Sequence, residues 1–482
     1  RIDSAGLAVM KHKNLSIQPI FNNFNSDRNG PSNGDFDGNL AHVILNDEQK
    51  RKNIIRQIVD TLEYYQLQGL NVDFEELTEK GNEPLANFQK ELYQALHPKN
   101  MIVTVDVSPK NEDYDYHSLS VYSDYVILMA YDQFSNTTGA GPISAQKWIE
   151  EQVDWLDDKI NISKLILGVA GYGRDWMRYE DESGKWRDSV EDLTYDRVID
   201  MAKVARVKID FNNDSYNLNY NYTEEETDSS SQVKHNIWFT DAATAFNILR
   251  YSDDIPSAGT ALWHLGGEDP RIWNFYGRNL STESLKQNPF DFDLLKTMPV
   301  NPDKKPTPTG EGELLNIIFT PAQGNIKLEI DHTEMLIAEQ QYEELPSGYV
   351  YEKFAEDKTP MGPGHKIILT FDDGPSARTA ELSTYLKSQN IKATFFVNGG
   401  HLATTTLPNP NGITVMPGAA AILAQLVADG HLVANHTVTH RDLVSQVLPT
   451  GAAMVVQELS ETDTAMASSV PSSHFLFRAP YG

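Results

Sequence analysis

No cysteine occurs among the 482 residues, so disulfides and thiolate metal sites are excluded, and any metal must sit on His, Asp or Glu. Basic residues are scarce: 40 Lys and Arg stand against 68 Asp and Glu, a formal net charge of −28. That balance excludes nucleic acid as an expected partner, because phosphates need a basic surface. No long apolar run occurs and no signal peptide is recognisable. The chain opens on Arg1, and "RIDSAGLAVMKHKNL" reads as the end of a helix already under way. A fragment is therefore expected, so the absence of a signal or anchor from it excludes neither. Tryptophan is absent after Trp273, and from Lys366 onward there are 6 basic and 8 acidic residues, so nearly all the net charge lies upstream.

What is present is an alternation of strand-like and helix-like stretches. Apolar runs of β-type composition recur at "LSIQPIFNNF", "GLNVDFEEL", "MIVTVDVSP", "YVILMAYDQF", "KLILGVAGYG" and "GTALWHLGG". Amphipathic stretches such as "DEQKRKNIIRQIVDTLEYYQL" and "AQKWIEEQVDWLDD" lie between several of them. Such an order implies parallel βαβ units and an α/β fold class. Strands that end in polar or aromatic residues suit a (β/α)8 TIM-type barrel over residues 1–283, with its site at the C-terminal rim. Eight strands close such a barrel, so two are expected before Arg1. A long insertion is expected near 175–258, and its "VKIDFNNDSYNLNYNYTEEE" reads as a hairpin. Residues 284–365 read as a linker with short β elements, from the Pro- and Gly-rich "VNPDKKPTPTGEGE". A second α/β unit is expected over 366–482.

The stretch "LNVDFEEL" is strand-like until it fills with acid. Period-2 alternation puts Asn71, Asp73 and Glu75 on one face, neighbours about 6–7 Å apart. On an antiparallel strand this is an ordinary exposed polar face. A barrel strand is covered on both sides, so there the three must point into the lumen or rim, where an unpaired carboxylate is costly unless functional. Two close carboxylates push their pKa values apart and leave one protonated near neutral pH.

This segment resembles the D-G-x-D-x-D-x-E signature of family 18 glycoside hydrolases, which include chitinases and spore-cortex hydrolases. "MAYD" at 129–132, "GVAGYGRDW" at 168–176 and "GTALWHLGGEDPRIW" at 259–273 match that family's later strands in order. The resemblance implies a substrate-assisted glycosidase without a cofactor in the barrel. It makes Glu75 the acid that protonates the glycosidic oxygen. Asp73 holds the substrate's 2-acetamido group, Tyr131 hydrogen-bonds its carbonyl, and Trp263 floors the sugar subsite. Asn71, Met129 and Asp132 join these as substrate-binding residues. Gln68 and Asn71 replace the signature's first two carboxylates, so an altered pH profile is expected, with Asn71 hydrogen-bonding Asp73.

The second unit carries another set. "ILTFDDGPS" is a strand ending in two acids, and "ANHTVTH" places His436 and His440 four apart, on one face if the segment is helical. Asp with two His forms an N,O donor set that suits zinc or another divalent metal with open positions. T-F-D-D-G-P, H-T-x-x-H and the R-x-P-Y-G at the end resemble the first three motifs of polysaccharide deacetylases of the carbohydrate esterase 4 type. That resemblance implies a second (β/α) barrel, with Asp372 as general base and a divalent metal, zinc foremost, on Asp373, His436 and His440. Arg478 then orients Asp372, and the Tyr481 backbone N–H helps to stabilise the oxyanion. The family's later motifs do not occur before Gly482, so this unit is expected to be C-terminally truncated, metal-binding and poor in turnover.

The combined reading is a carbohydrate-active enzyme of the cell envelope or exterior. Its expected partner is an N-acetylglucosamine polysaccharide: chitin, poly-N-acetylglucosamine or peptidoglycan. The order of domains resembles bacterial proteins that continue into a membrane-anchored family 2 glycosyltransferase. The competing reading is an inactive glycan-binding or scaffold protein.

Overall fold

Each of the six apolar segments forms a strand in the computed structural model, which describes residues 4–27, 35–135, 137–181, 183–225, 232–300, 307–310, 314–348, 350–354, 368–470 and 476–481. Five come in succession: β1 (Ile20–Asn22), β2 (Gly69–Asp73), β3 (Ile102–Val107), β4 (Tyr125–Leu128) and β5 (Leu165–Ala170). An insertion then contributes β6 (Gly173–Glu180), β7 (Trp186–Leu193), β8 (Asp210–Asn212), β9 (Asn217–Glu225) and β10 (Gln232–Phe239) before the sixth, β11 (Gly259–Trp263). The sheet runs β1-β2-β3-β4-β5-β11, parallel throughout. Strands that follow one another in chain order and run parallel are the pattern of successive βαβ units, an α/β fold, and among the described residues β1 and β11 are the sheet's edges.

Helices cover the sheet because their apolar residues fall at helical spacing. In Glu48–Tyr65, capped by Asp47, the buried face is Ile55, Ile58 and Leu62. In Gln146–Asp157 it is Ile149, Val153 and Leu156. These pack with Val72, Val103, Val105, Leu128, Leu167 and Val169 in one core. Each fully buried Leu or Val contributes about 1.5–3 kcal/mol relative to exposure. Gly69 fits where β2 meets β3 most closely, since a Cβ there would lie 2.1 Å from the carbonyl oxygen of Ile102.

The insertion is an antiparallel sheet, β7-β6-β10-β9-β8, and the expected hairpin is its β8–β9 pair. It begins just before 175 and ends well short of 258, its last strand closing at Phe239. The sheet starts at Gly173, and the helix Ala242–Asp254 returns to the parallel sheet, packing on β5 and β11.

The interval 284–365 differs from the expected linker. It holds β12 (Thr297–Met298), β13 (Thr307–Gly310), β14 (Leu314–Phe319), β15 (Gly324–Asp331), β16 (Leu336–Glu344) and β17 (Val350–Phe354). Two compact units result, 1–302 with 322–347 and 303–321 with 348–482. Strands β12, β15 and β16 belong to the first because Ile326, Ile337 and Tyr342 are buried there. Asn247 fixes them by exchanging two 2.8 Å hydrogen bonds with the backbone of Ile337. Other residues of the interval, including 355–365, lie outside the described residues.

The second unit holds the sheet β13-β17-β14 and a parallel sheet of β18 (Leu369–Gly374), β19 (Ala393–Val397) and β20 (Leu432–Asn435). Helices Thr379–Ser388 and Ala419–Ala428 make the crossovers, and Leu386, Phe395, Val397, Leu423, Leu426 and Val433 form the core. No helix among the described residues is long and apolar enough to cross a membrane.

Candidate active sites

Strand β2 delivers its polar row to the C-terminal end of the first sheet. Asn71 and Asp73 are buried within the strand, and Glu75 follows just past its end. Asn23 pins the Glu75 backbone, accepting from its N–H at 3.0 Å and donating to its carbonyl at 2.8 Å. Asn22 lies level with Asp73 in the β1–β2 pairing, and its side chain hydrogen-bonds that carboxylate.

Asn71 does not make the hydrogen bond to Asp73 that the strand alone leads one to expect. Its Nδ2 donates to Asp106 Oδ2 at 2.6 Å, and its Oδ1 accepts from Thr104 Oγ1 at 2.6 Å. Both partners stand on β3, and the neighbouring strand outcompetes the next residue on the same face. Asp106 was not singled out in the sequence, although one acid among the valines of "IVTVDV" is a legible signal.

Burial dominates the electrostatics. It pushes Glu75 up to about 8, helped by the charges of Asp73, Asp132, Asp106 and Glu76. It pushes Asp106 up to about 7, against the Asn71 hydrogen bond and with the repulsion of Asp73. Asp73 is raised too, again mainly by burial. Glu75 is therefore protonated at neutral pH beside an ionisable Asp73, as a general acid requires.

Residues after β4 complete this end of the sheet. Met129 is buried and holds its place by donating its N–H to Val107. Tyr131 fits because Gly168 has no side chain; a Cβ there would lie 2.9 Å from Tyr131 Cε1. Burial holds the Tyr131 hydroxyl far above its usual range, reinforced by Asp106, Asp132, Glu75 and Asp73. Asp132 adopts φ 57°, accepts a short hydrogen bond from Tyr172 and pairs with Arg174 at 2.8 Å. Arg174 also donates to Asp192 at 2.6 Å, so the insertion sheet clamps Asp132. Trp263 ends β11 and is 48% exposed, as a sugar-stacking platform needs.

The second site gathers at the C-terminal ends of β18 and β20. Asp373, at φ 63°, brings Oδ1 to 3.4 Å from His436 Nε2 and 3.0 Å from His440 Nε2. The two histidines do not lie on a helix. They bound a turn after β20, and φ values of 67° at Thr437 and 52° at His440 bend it so that both rings converge. His436 Nδ1 faces the Arg478 carbonyl at 2.8 Å, so that nitrogen donates and Nε2 is left as the lone-pair donor. Burial holds His436 below its usual range, which favours the neutral ligand form. One oxygen and two imidazole nitrogens, all within 4.8 Å of one another, fit a divalent cation.

Arg478 reaches both oxygens of Asp372, at 2.9 and 3.1 Å, and its guanidinium lies over the Phe396 ring. Tyr481 is exposed at φ 67°, with its ring 4.9 Å from that of His440. Glu458 and Arg441 also serve this turn. Glu458 is wholly buried and accepts from the N–H groups of Val438 and Thr439. Nothing in the spacing of these two residues pairs them, because the contact forms only in the fold.

Two family models match the chain, glycosyl hydrolases family 18 over residues 33–268 and polysaccharide deacetylase over residues 360–482. The uncharacterized glycosylase YvbX of Bacillus subtilis (strain 168) is 24% identical over 276 residues, 55% of this chain and 76% of that protein. The cortical fragment-lytic enzyme of the same organism is 21% identical over 278 residues, 55% of this chain and 60% of its own length. In the second unit, a chitooligosaccharide deacetylase of Rhizobium leguminosarum bv. trifolii is 36% identical over 106 residues, 22% of this chain and 41% of the relative. A chitinase structure from Chromobacterium violaceum ATCC 12472 aligns with a TM-score of 0.49 at 20% identity, over 57% of this chain and 83% of that one. The chain carries a family 18 glycosyl hydrolase domain followed by a polysaccharide deacetylase domain, two kinds of hydrolase.

Proposed function

We propose that the two domains act on one substrate class, polymers of β-linked N-acetylglucosamine, at the cell envelope or outside the cell. The barrel cleaves the glycosidic bond and the second domain removes acetyl groups. The observation that carries this reading is a half-buried Glu75, its carboxyl raised to about 8, two residues beyond Asp73 on a polar row. Glu75 gives its proton to the glycosidic oxygen while Asp73 accepts from the acetamide N–H, turning the acetamide carbonyl toward the anomeric carbon. Tyr131 donates to that carbonyl. Trp263 offers its half-exposed ring to the apolar face of a pyranose.

In the second domain Asp373, His436 and His440 would hold a divalent cation, zinc foremost by its donor set. When bound, it supplies Lewis acidity to the amide carbonyl and to water. Asp372, held by Arg478, takes the proton from water, and Tyr481 offers its backbone N–H to the developing oxyanion. The chitooligosaccharide and chitin deacetylases among the relatives support the acetamide as the group attacked. Closure of this unit into a second barrel is part of the same proposal.

The test incubates the full chain with N-acetylglucosamine oligomers and measures shortened products and released acetate separately. Glu75→Gln is expected to abolish shortening by at least a hundredfold and to leave oligomer binding. His436→Ala with His440→Ala is expected to abolish acetate release and zinc uptake. Shortening that survives Glu75→Gln overturns the barrel assignment.

A further inference from the structure

Asn71 brings no carboxylate to the polar row, yet a carboxylate faces it from the next strand. Thr104 sits beside Asn71 in the β2–β3 pairing, and Val105 beside Val72. One step further, that pairing brings Asp106 level with Asp73, while Asn22 stands level with Asp73 on the other side. Asn22, Asp73 and Asp106 thus form a row across three strands. The Asn71 amide fixes one end of Asp106 by donating to its Oδ2 at 2.6 Å. The remaining Oδ1 of Asp106 and Oδ1 of Asp73 are both buried without a hydrogen-bond partner. Adjacent strands lie about 4.8 Å apart, so one proton between two such carboxyls relieves both orphaned oxygens.

We propose that Asp106 stands in from β3 for the acid absent at Asn71: it is a positioning residue that donates a proton-borne hydrogen bond to Asp73. This rests on the assignment of Glu75 as the acid. The titratable groups around the pair are Glu75, on which Glu76 and Asp132 act in turn, and the hydroxyls of Tyr114 and Tyr131. Arg174, the cation bound at Asp132, is engaged there and by Asp192. With one proton on the pair, Asp106 donates to one oxygen of Asp73, and the other, beside Asn22, keeps a lone pair for the acetamide N–H. Loss of that proton sets two negative charges level on adjacent strands and removes the donor. Asp106 is raised to about 7, so this loss falls within the working range.

The consequence is a count of protons. If activity needs one proton on Glu75 and one on Asp106, log kcat/KM falls on the alkaline side with a limiting slope of −2. The experiment measures cleavage of an N-acetylglucosamine pentamer by the full chain from about pH 5 to 10, beside Asp106→Asn and the exchange Asn71→Asp with Asp106→Asn. The parent and the exchange are expected to fall with slope −2, and Asp106→Asn with slope −1. The same proton is followed without turnover by infrared titration: the parent loses a carboxyl band near neutrality that Asp106→Asn lacks. A slope of −1 in the parent, or equal slopes in the parent and Asp106→Asn, overturns the inference. Activity retained by Glu75→Gln overturns instead the reading on which it rests. If Asp106→Asn does not fold, the slope of the parent decides, with −2 in support and −1 against.

Discussion

Arg441 and Glu458 are a buried pair: Arg441 Nε donates to Glu458 Oε1 at 2.9 Å, and its Nη2 lies 2.9 Å from the same oxygen. With Thr439 Oγ1 also donating to that oxygen, the carboxylate on the helix Ala452–Met466 holds the turn that ends in His440. Removing one partner of a buried pair leaves the other charge uncompensated, at about 3–5 kcal/mol. Glu458→Ala is therefore expected to destabilise the second domain by that amount in urea titrations. Glu458→Gln, which keeps the shape, is expected to weaken zinc binding by about tenfold, the lower end for outer partners of metal ligands. Zinc bound by Glu458→Gln as tightly as by the parent, by calorimetry, would show that the turn holds itself.

The barrel acids set a pH dependence of stability whose sign is opposite to that of a salt-bridged carboxylate. Glu75 is raised from 4.5 to about 8 and Asp106 from 3.8 to about 7. Below about pH 4 both states are protonated and the difference vanishes. Between there and about 8 the unfolded chain has lost protons that the folded chain keeps, so folding weakens as pH rises. Glu75→Gln should flatten this slope and stabilise the first unit at pH 8 by about 1–3 kcal/mol. Thermal melts of the parent and variant across pH 4 to 9 check it, and equal slopes would refute the raised acid.

What the sequence made legible was local. Alternation in "LNVDFEEL" and the five other apolar runs located every strand of the parallel sheet, because side-chain period reports burial of each face. The partner of Asn71 was not legible. It depends on β2–β3 register, which brings together residues 35 apart. His436 and His440 show the same limit from another side. Their spacing of four suits a helix, but the positive φ at Thr437 and His440 places them in a turn. In 284–365, Pro and Gly misled, because Thr307–Gly310 forms β13, and the alternation of Ile326, Leu328 and Ile330 outweighs composition once the surface of the first unit is there to cover.

Arg271 ties that added sheet to the barrel unit. It is buried, donates to Asp269 at 2.5 Å, and lies within hydrogen-bonding reach of Tyr195 and Tyr342. Tyr342, on β16, also donates to Asp241 at 2.8 Å. Arg271→Met leaves Asp269 and Asp241 buried without their cation, and a loss of about 3–5 kcal/mol is expected. Tyr342→Phe removes hydrogen bonds but no charge and should cost about 1–3 kcal/mol. Urea unfolding of both variants measures the difference. An equal effect of the two would mean that the charges contribute nothing beyond the hydroxyl.

The two proposed activities meet at one chemical group, and this makes them antagonists along a polymer. In the barrel the acetamide carbonyl is the internal nucleophile, held through Asp73 and Tyr131. The second domain removes the acetyl group that carries that carbonyl. A deacetylated sugar in the catalytic subsite has an ammonium there, which has no oxygen to attack with. Deacetylated stretches should therefore resist cleavage, and cuts should fall where acetyl groups survive. The acidic chain attracts the cationic product, but at physiological salt that attraction is screened beyond about 8 Å and does not reach along the polymer. Polymers of graded acetylation, digested with the parent and with the His436→Ala, His440→Ala variant, give the check through the sugars at new reducing ends. N-acetylglucosamine should dominate those ends in both digests, and the metal-site variant should cut further because its substrate keeps its acetyl groups. Mostly glucosamine at the new ends would remove the carbonyl from the mechanism, and with it the role of Asp73.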